Sequence, residues 1–492
     1  MIFNKEQPSS ENDFELDLVK RYEDSIKNNE SIYLDIDEII LILNYYIYYD
    51  KNKELDNLLA YGKKLHSSNP MYNFTYAKRL FFQEEYKKAL EYINEIEKTE
   101  TIDGEVLFIK ASCLMHISIE NYKNVPTFFG IDTDNDLALE ALSILNKLVA
   151  QETVEDIESL CIDIARLLME CYKYRHAVVY YNKAIEKNPN VDLYYYEKAL
   201  CCETILEFDE AIKCYNKLLD KNPYYEDIWY NIGEVYYNKR DYEKAIEAFD
   251  YVTVINEKEY SGWFKKGLIY FAIRSFEKSI EMMNMCIKID PKRNDHHLYI
   301  GSSYSEMGEY EEAIKHFKLS LEMNDRNLSA IIGIADSYMR NDKFKLAEPY
   351  LKKAVKLSPE DPLINYLMGE CYFELNKLDK AYEALNKSVK LDPTNPDAWF
   401  YLGNLYFDVE KFDKALKCYR NVVKYEEDYR GISMLLAVCY FKTGKMMKGK
   451  QYTKKAYQES PLTISFFNEY YPEALIYLKE IEEKKYKNKG KE

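Results

Sequence analysis

PDAWFYLGNLYFDVEKFDKALKCYRNVVKYEEDY, residues 396–429, is the stretch that decides the fold. Trp399, Leu402, Gly403 and Tyr406 recur at steps of three or four, the spacing of one face of an α-helix, and Ala415, Tyr419 and Val422 repeat that spacing further on. A short polar turn at Glu410–Lys411 separates the two runs, so the stretch reads as a pair of antiparallel helices. Gly403 and Ala415 are small where the two helices are expected to cross closely.

The same grammar extends in both directions. Nine blocks of 34 residues, Glu158–Val191 through Arg430–Thr463, follow one another without an inserted or deleted residue. Trp229, Gly233, Tyr236, Ala245 and Phe249 occupy the matching places in Glu226–Glu259, and Trp263, Gly267, Tyr270, Ser279 and Met283 those in Tyr260–Arg293. Pro189, Pro223, Pro291, Pro359 and Pro393 close second helices, since proline cannot continue one. A fixed period of this length predicts stacked hairpins in which each unit buries its apolar face on its neighbours. Upstream the register loosens. Pro70–Asp103 is in phase at Tyr76, Ala77 and Ala89, and Gly104 opens a block whose second helix resumes only near Ala138–Leu148, after an insertion near 116–137. Asp37–Leu65 reads as a degenerate hairpin, Asp13–Ser25 as a further helix, and Ser465–Glu483 as a capping helix. The expected organisation is a partly disordered segment 1–36, degenerate hairpins 37–157, nine units 158–463, and a cap with a basic tail 464–492.

Composition agrees. Gly (15) and Pro (13) are scarce and Tyr (49) is abundant, which suits helices rather than sheets or disorder. A net charge of −17 argues against nucleic-acid binding, which needs a basic stripe, and the one basic run is Lys484–Lys491. Five of the ten cysteines recur at two places of the period, Cys201, Cys371 and Cys439 at the tenth and Cys214 and Cys418 at the twenty-third. They read as packing residues in a reducing, cytoplasmic setting. No apolar run reaches the length of a membrane span, and the start lacks a secretory signal.

Chemistry is hard to place. Asp132, Asp134 and Asp136 alternate as in a calcium loop, but Leu137 and Ser143 stand where such a loop needs Gly and Glu. Asp134 or Asp136 is expected instead to cap the helix that follows. The six histidines form no i, i+4 pair, and there is no phosphate-binding glycine loop or nucleophile motif. The expectation is no enzyme, no cofactor and no metal.

The blocks resemble the tetratricopeptide repeat family from roughly Ile39 to Thr463, most closely over the nine in-phase units and least in Arg430–Thr463, where Ser433, Gly449 and Thr453 depart from the pattern. The resemblance implies an all-α, right-handed superhelix of about twelve hairpins with a C-terminal cap. It also implies that places 2, 5, 9, 12 and 13 of each unit line a concave groove. Eleven of those positions are acidic (Glu170, Glu203, Asp227, Glu234, Asp295, Glu306, Asp336, Glu370, Glu374, Asp397 and Asp408) and three basic (Arg166, Arg340 and Lys442). Aromatic and aliphatic residues recur beside them: Tyr196, Leu200, Tyr230, Tyr237, Phe264, Leu268, Phe271, Tyr366, Phe373, Phe400, Phe407 and Phe441. Phe264, Leu268, Phe271 and Ala272 make one strip apolar but for Ser261. With Tyr230, Tyr237 and Leu200 it would form a patch ringed by carboxylates. One subset of the family grips a terminal carboxylate with Lys and Asn at places 5 and 9, but Tyr230 with Glu234, Tyr366 with Glu370, and Phe400 with Asn404 stand there. The implied function is a non-enzymatic scaffold binding a peptide or helix of a protein partner, basic and apolar in character, with neither nucleic acid nor membrane involved. Two alternatives are a switch gated by the 116–137 insertion, through Val125–Phe129, and a self-assembling structural protein. Oligomeric state is not legible.

Overall fold

The computed structural model describes residues 13–478 apart from 29, 50, 67–68, 99–102, 121–133, 152–155, 293–294, 430 and 461–462. Within these residues every regular element of the chain is a helix. α1 (Asp13–Asn28) precedes three hairpins, α2 (Ile36–Tyr48) with α3 (Asn52–His66), α4 (Pro70–Phe82) with α5 (Tyr86–Ile96), and α6 (Gly104–Glu120) with α7 (Asp136–Ala150). The nine in-phase blocks follow as α8 (Ile157–Glu170) and α9 (Tyr174–Lys187), α10 (Asp192–Thr204) and α11 (Phe208–Leu219), α12 (Glu226–Asn238) and α13 (Tyr242–Ile255), α14 (Tyr260–Ala272) and α15 (Phe276–Ile289), α16 (Asp295–Glu306) and α17 (Tyr310–Met323), α18 (Leu328–Arg340) and α19 (Phe344–Leu357), α20 (Pro362–Glu374) and α21 (Leu378–Leu391), α22 (Pro396–Asp408) and α23 (Phe412–Tyr425), and α24 (Ile432–Lys442) and α25 (Met446–Glu459). α26 (Thr463–Tyr470) comes last. The chain divides into two compact units, Met1–Tyr251 and Val252–Glu492.

The period is written into the backbone as well as the side chains. Tyr172, Leu206, Arg240, Arg274, Gly308, Asp342, Asn376, Glu410 and Gly444 all adopt left-handed backbone, each 34 residues from the last, and Glu84 does the same in the block that begins at Pro70. The residue after each sends its amide back to a carbonyl five residues earlier, as Lys173 to Leu168 (2.7 Å), Lys377 to Tyr372 (2.8 Å) and Glu85 to Leu80 (2.9 Å). This is the Schellman closure that ends a helix and reverses the chain. Only two of the nine in-phase positions are glycine. The others hold an unfavourable conformation because the hairpin contacts on both sides determine it.

Gly403 is small for the reason its sequence suggests. A Cβ there would lie 2.5 Å from Cε1 of Tyr419, whose ring is fully buried in the partner helix. The tryptophans at the fourth place also have a fixed job. The indole N–H of Trp229 donates to Pro223 O (2.8 Å), that of Trp263 to Glu257 O (3.1 Å), and that of Trp399 to Pro393 O (2.8 Å), tying each first helix to the chain that enters it.

Three features differ from expectation. α6 runs to Glu120, beyond the start expected for the insertion, and Val125–Phe129 lies outside the described residues. The helix after the insertion is capped by neither aspartate: Asn135 accepts from the Ala138 amide (3.0 Å). Asp134 turns away to Lys173 (2.8 Å) and His176 (3.0 Å). Burial opposes its ionisation, but those two partners outweigh burial and hold the carboxyl below its ordinary value. The capping helix expected over Ser465–Glu483 starts at Thr463 and is interrupted after Tyr470, where α26 ends, whereas α1 takes up the helix expected over Asp13–Ser25 and buries Leu18, Val19 and Tyr22.

Candidate functional site

First helices of consecutive hairpins lie side by side within each unit, α4 with α6 in the first and α14, α16, α18, α20 and α22 in the second. The residues proposed from the sequence stand on first helices of both units, Tyr196, Leu200, Tyr230, Glu234 and Tyr237 on α10 and α12 of the first and the rest on first helices of the second, and each unit's set is described by itself.

In the unit Val252–Glu492 the strip begins on α14. Phe264 and Phe271 are half-buried and both turn towards Tyr299 of α16, with ring centroids 5.8 and 6.1 Å away. Leu268 is half-buried between them in sequence, and Ala272 is exposed. The apolar character expected of this helix is therefore present at its own surface.

Carboxylates take over on α18 and α20. Glu370 accepts a hydrogen bond from the Tyr401 hydroxyl (2.8 Å) and another from Tyr366. Burial raises the pKa of its carboxyl, and the charges of Asp336 and Asp397 push the same way against the two hydroxyls. Among the described residues no cation pairs with Glu370. Asp336 differs: Arg340 Nε lies 2.8 Å from its Oδ2, and Arg340 also approaches Glu306 (3.9 Å), which Arg274 holds at 3.2 Å. Burial still raises Asp336, with Arg340 opposing. Of the two, Glu370 is the acid left without a counter-ion. Asp397 accepts from Tyr429 (2.7 Å). Tyr366 and Phe373 are half-buried on α20. The side chain of Asp295 lies outside what is described.

At the C-terminal end the strip changes state. Phe400 is half-buried and packs on Tyr429 (5.0 Å). Asn404 accepts from the Tyr419 hydroxyl (2.9 Å), which engages its carbonyl internally. Phe407, expected as an open contact residue, is only 6% exposed, and Phe441 only 4%. Tyr470 of α26 lies over Phe407 at 5.4 Å. Tyr471 lies parallel to Phe441 at 4.7 Å, and Tyr477 follows at 5.7 Å.

In the unit Met1–Tyr251, Tyr196, Leu200, Tyr230 and Tyr237 are all half-buried on α10 and α12. Tyr230 packs edge-on to Phe249 (5.5 Å), and Tyr196 to Tyr215 (6.3 Å). Tyr215 donates to Glu203, whose pKa burial raises despite that bond, with the charge of Glu234 adding to the rise. Glu234 itself is half-buried. A cleft of ≈ 950 Å³ opens on this unit, lined by Phe81, Phe82, His116, Ile162, Arg166 and Leu193 among others. Phe81, Phe82 and His116 occupy places 12 and 13 of the two irregular blocks upstream, places that sequence reasoning assigned only within the regular ones. His116 stacks on Tyr86 (4.4 Å, 4°), and its Nδ1 lies 3.8 Å from the Cys171 sulfur. Burial pushes the Cys171 thiol up to about 12, so the pair has no activated nucleophile. All ten cysteines are buried, as packing residues would be. Among the described residues no three metal-ligating side chains converge and no helix is long and apolar enough to cross a membrane.

Helical hairpins of one length, closed by one turn and joined by one set of small residues, define a repeat protein of the helix–turn–helix type. Family models described as tetratricopeptide repeat match residues 226–258, 260–293 and 400–461, and one described as TPR repeat matches 207–240. A model described as anaphase-promoting complex, cyclosome, subunit 3 matches 306–388 and 340–422. The chain is a tetratricopeptide repeat protein, and that family places it among protein-interaction scaffolds. No curated protein matches it. Similar solved structures include the APC/C hetero-tetramer Cut9-Hcn1 (12% identity, 93% of this chain and 99% of that one, TM-score 0.41). Others are PilF of Pseudomonas aeruginosa (17%, 42% and 96%, 0.40) and YrrB, described as a TPR protein with an unusual peptide-binding site (22%, 39% and 96%, 0.33).

Proposed function

We propose that the protein is a non-catalytic scaffold, working in a reducing compartment, that captures a segment of a partner protein on its first-helix face. The partner's apolar side chains dock on Phe264, Leu268 and Phe271, and a Lys or Arg reaches Glu370. The observation that carries this reading is the state of Glu370. A carboxylate that is drawn out of water, repelled by two neighbouring acids and held only by tyrosine hydroxyls destabilises the fold, and such groups cluster where a ligand supplies the missing charge. Half-buried aromatic rings on the same face supply anchors of the kind that dominate binding energy. An incoming guanidinium or ammonium would find a carboxylate with hydroxyl neighbours already fixed in place.

The test starts from partners identified by affinity purification and mass spectrometry. Phe264→Ala with Phe271→Ala is expected to weaken the purified partner's binding at least ~10-fold, as loss of two aromatic anchors would, with far-UV helicity unchanged. Equal affinity of the double variant and the parent would remove this strip from the binding surface.

A further inference from the structure

α26 carries two stripes, and hiding the end of the helical stack uses only one of them. Thr463 and Phe467 are fully buried, Ala474 and Leu478 are buried with them, and the Thr463 hydroxyl donates to Ala456 O (2.8 Å). These residues cover the apolar surface of α24 and α25, which a terminal repeat requires. The other stripe is Phe466 and Tyr470, one helical turn apart with ring centroids at 4.8 Å. It does not serve the last hairpin: Tyr470 reaches Phe407 on α22, a whole repeat further back. Tyr471 and Tyr477 then lie on Phe441, with Lys450 Nζ 4.1 Å from the Tyr477 ring centroid.

Phe407 and Phe441 hold the twelfth place of their repeats. Phe271 and Phe373 hold the same place and remain half-buried, whereas Phe407 and Phe441 are buried. Three tyrosine rings of the C-terminal segment, Tyr470, Tyr471 and Tyr477, therefore lie against the two twelfth-place phenylalanines, where Phe271 and Phe373 remain half-buried.

We propose that the strip formed by Phe407 and Phe441 is a docking site for a short segment bearing two adjacent tyrosines, and that the chain's own segment 463–478, through Tyr470 and Tyr471, is its resident occupant. The segment competes with any partner that uses this end of the face, so the strip is available only when Tyr470 and Tyr471 leave it. This inference rests on the reading of the first-helix face as a binding surface. Tyr470 is 40% exposed and touches the strip from outside the core, so it can leave while Phe467, Ala474 and Leu478 stay packed.

The probe is a fluorescently labelled synthetic peptide of residues 463–478, and the readout is its anisotropy on titration with full-length chain. The double variant Tyr470→Ala, Tyr471→Ala, which frees the strip, is expected to bind the peptide at least ~10-fold more tightly than the parent. Adding Phe407→Ala to that variant should abolish the gain. If the double variant loses helicity, Tyr470→Ala alone serves in its place. Equal binding by parent and variant, absence of binding to both at millimolar chain, or a gain that survives Phe407→Ala would each overturn the proposal. Loss of peptide exchange with the Phe264 and Phe271 effect intact would sink only the self-occupancy. The converse pattern would sink the wider strip on α14 and leave the C-terminal site standing.

Discussion

Phe271 and Phe407 hold the same place in the period, four repeats apart, yet one is half-buried and the other is covered. Among the described residues, Phe271 has ring contacts with its neighbours in the stack, Phe276 and Tyr299. Phe407 meets Phe412 and Tyr419 in the same way and then Tyr470, which belongs to no repeat. The period decides where a side chain stands. At Phe407 the added cover comes from chain outside the period.

The difference can be broken from its root. Phe467→Ala empties a fully buried site under α26 and should cost about 3–5 kcal/mol locally, as large-to-small core changes do, and it should expose Phe407 as well. Urea unfolding followed by tyrosine fluorescence would register the loss, and a variant as stable as the parent would show that α26 is not held by this ring. A smaller effect comes from beneath the same strip. Gly403→Ala drives a methyl against the buried Tyr419 ring, which also packs on Phe400 and Phe407, and should cost about 1–3 kcal/mol by overpacking. The same unfolding measurement checks it.

A change in the other unit provides a control of opposite sign. Leu206 is exposed and left-handed (φ 62°), so Leu206→Gly should stabilise by about 1 kcal/mol, read as a raised Tm, without altering partner binding. The smallest effect on stability, and the one that sharpens the open side, is at Glu370. Its folded-state pKa is raised, so the stability it contributes is complete below the ordinary carboxylate value of about 4.3 and is lost as pH rises through the folded value. Glu370→Gln should therefore melt above the parent at pH 7, and the gap should close on acidification. Its affinity for a Lys- or Arg-bearing partner should fall ~10-fold at pH 7. A variant less stable at pH 7 would mark the carboxylate as structural.

The helical pairs were legible because Gly403, Tyr406, Ala415 and Tyr419 answer to one another at fixed separations, and the nine in-phase blocks reproduce the pattern without slippage. The left-handed turn was not legible, because Tyr172, Leu206, Arg240 and Asn376 share no chemistry that marks the conformation. It is imposed by packing on either side. The cap of α7 was assigned one residue away from Asn135, since Asp134, Asn135 and Asp136 can all accept an amide and Lys173 with His176 decides which is diverted. On the candidate site, Phe264, Phe271, Tyr366 and Phe373 are half-buried on α14 and α20. Asp336 was placed among the groove acids and Arg340 among the groove bases, and the two pair one turn apart on one helix, as their spacing permits. Phe81, Phe82 and His116 were missed because the groove places were assigned only within the nine regular blocks, although the phase of the blocks at Pro70 and Gly104 was legible, and the covering of Phe407 was missed because no repeat position foretells a fold-back from beyond the repeats.

Hydroxyl-radical footprinting of the full chain, alone and with a purified partner, tests the whole account most directly. The expected result is slow oxidation of Phe407 and Phe441 in the free chain, faster oxidation of Phe264 and Phe271, and protection of Phe264 and Phe271 when the partner is added. Equal oxidation of all four rings in the free chain, or a bound partner that leaves Phe264 and Phe271 as reactive as before, would contradict it.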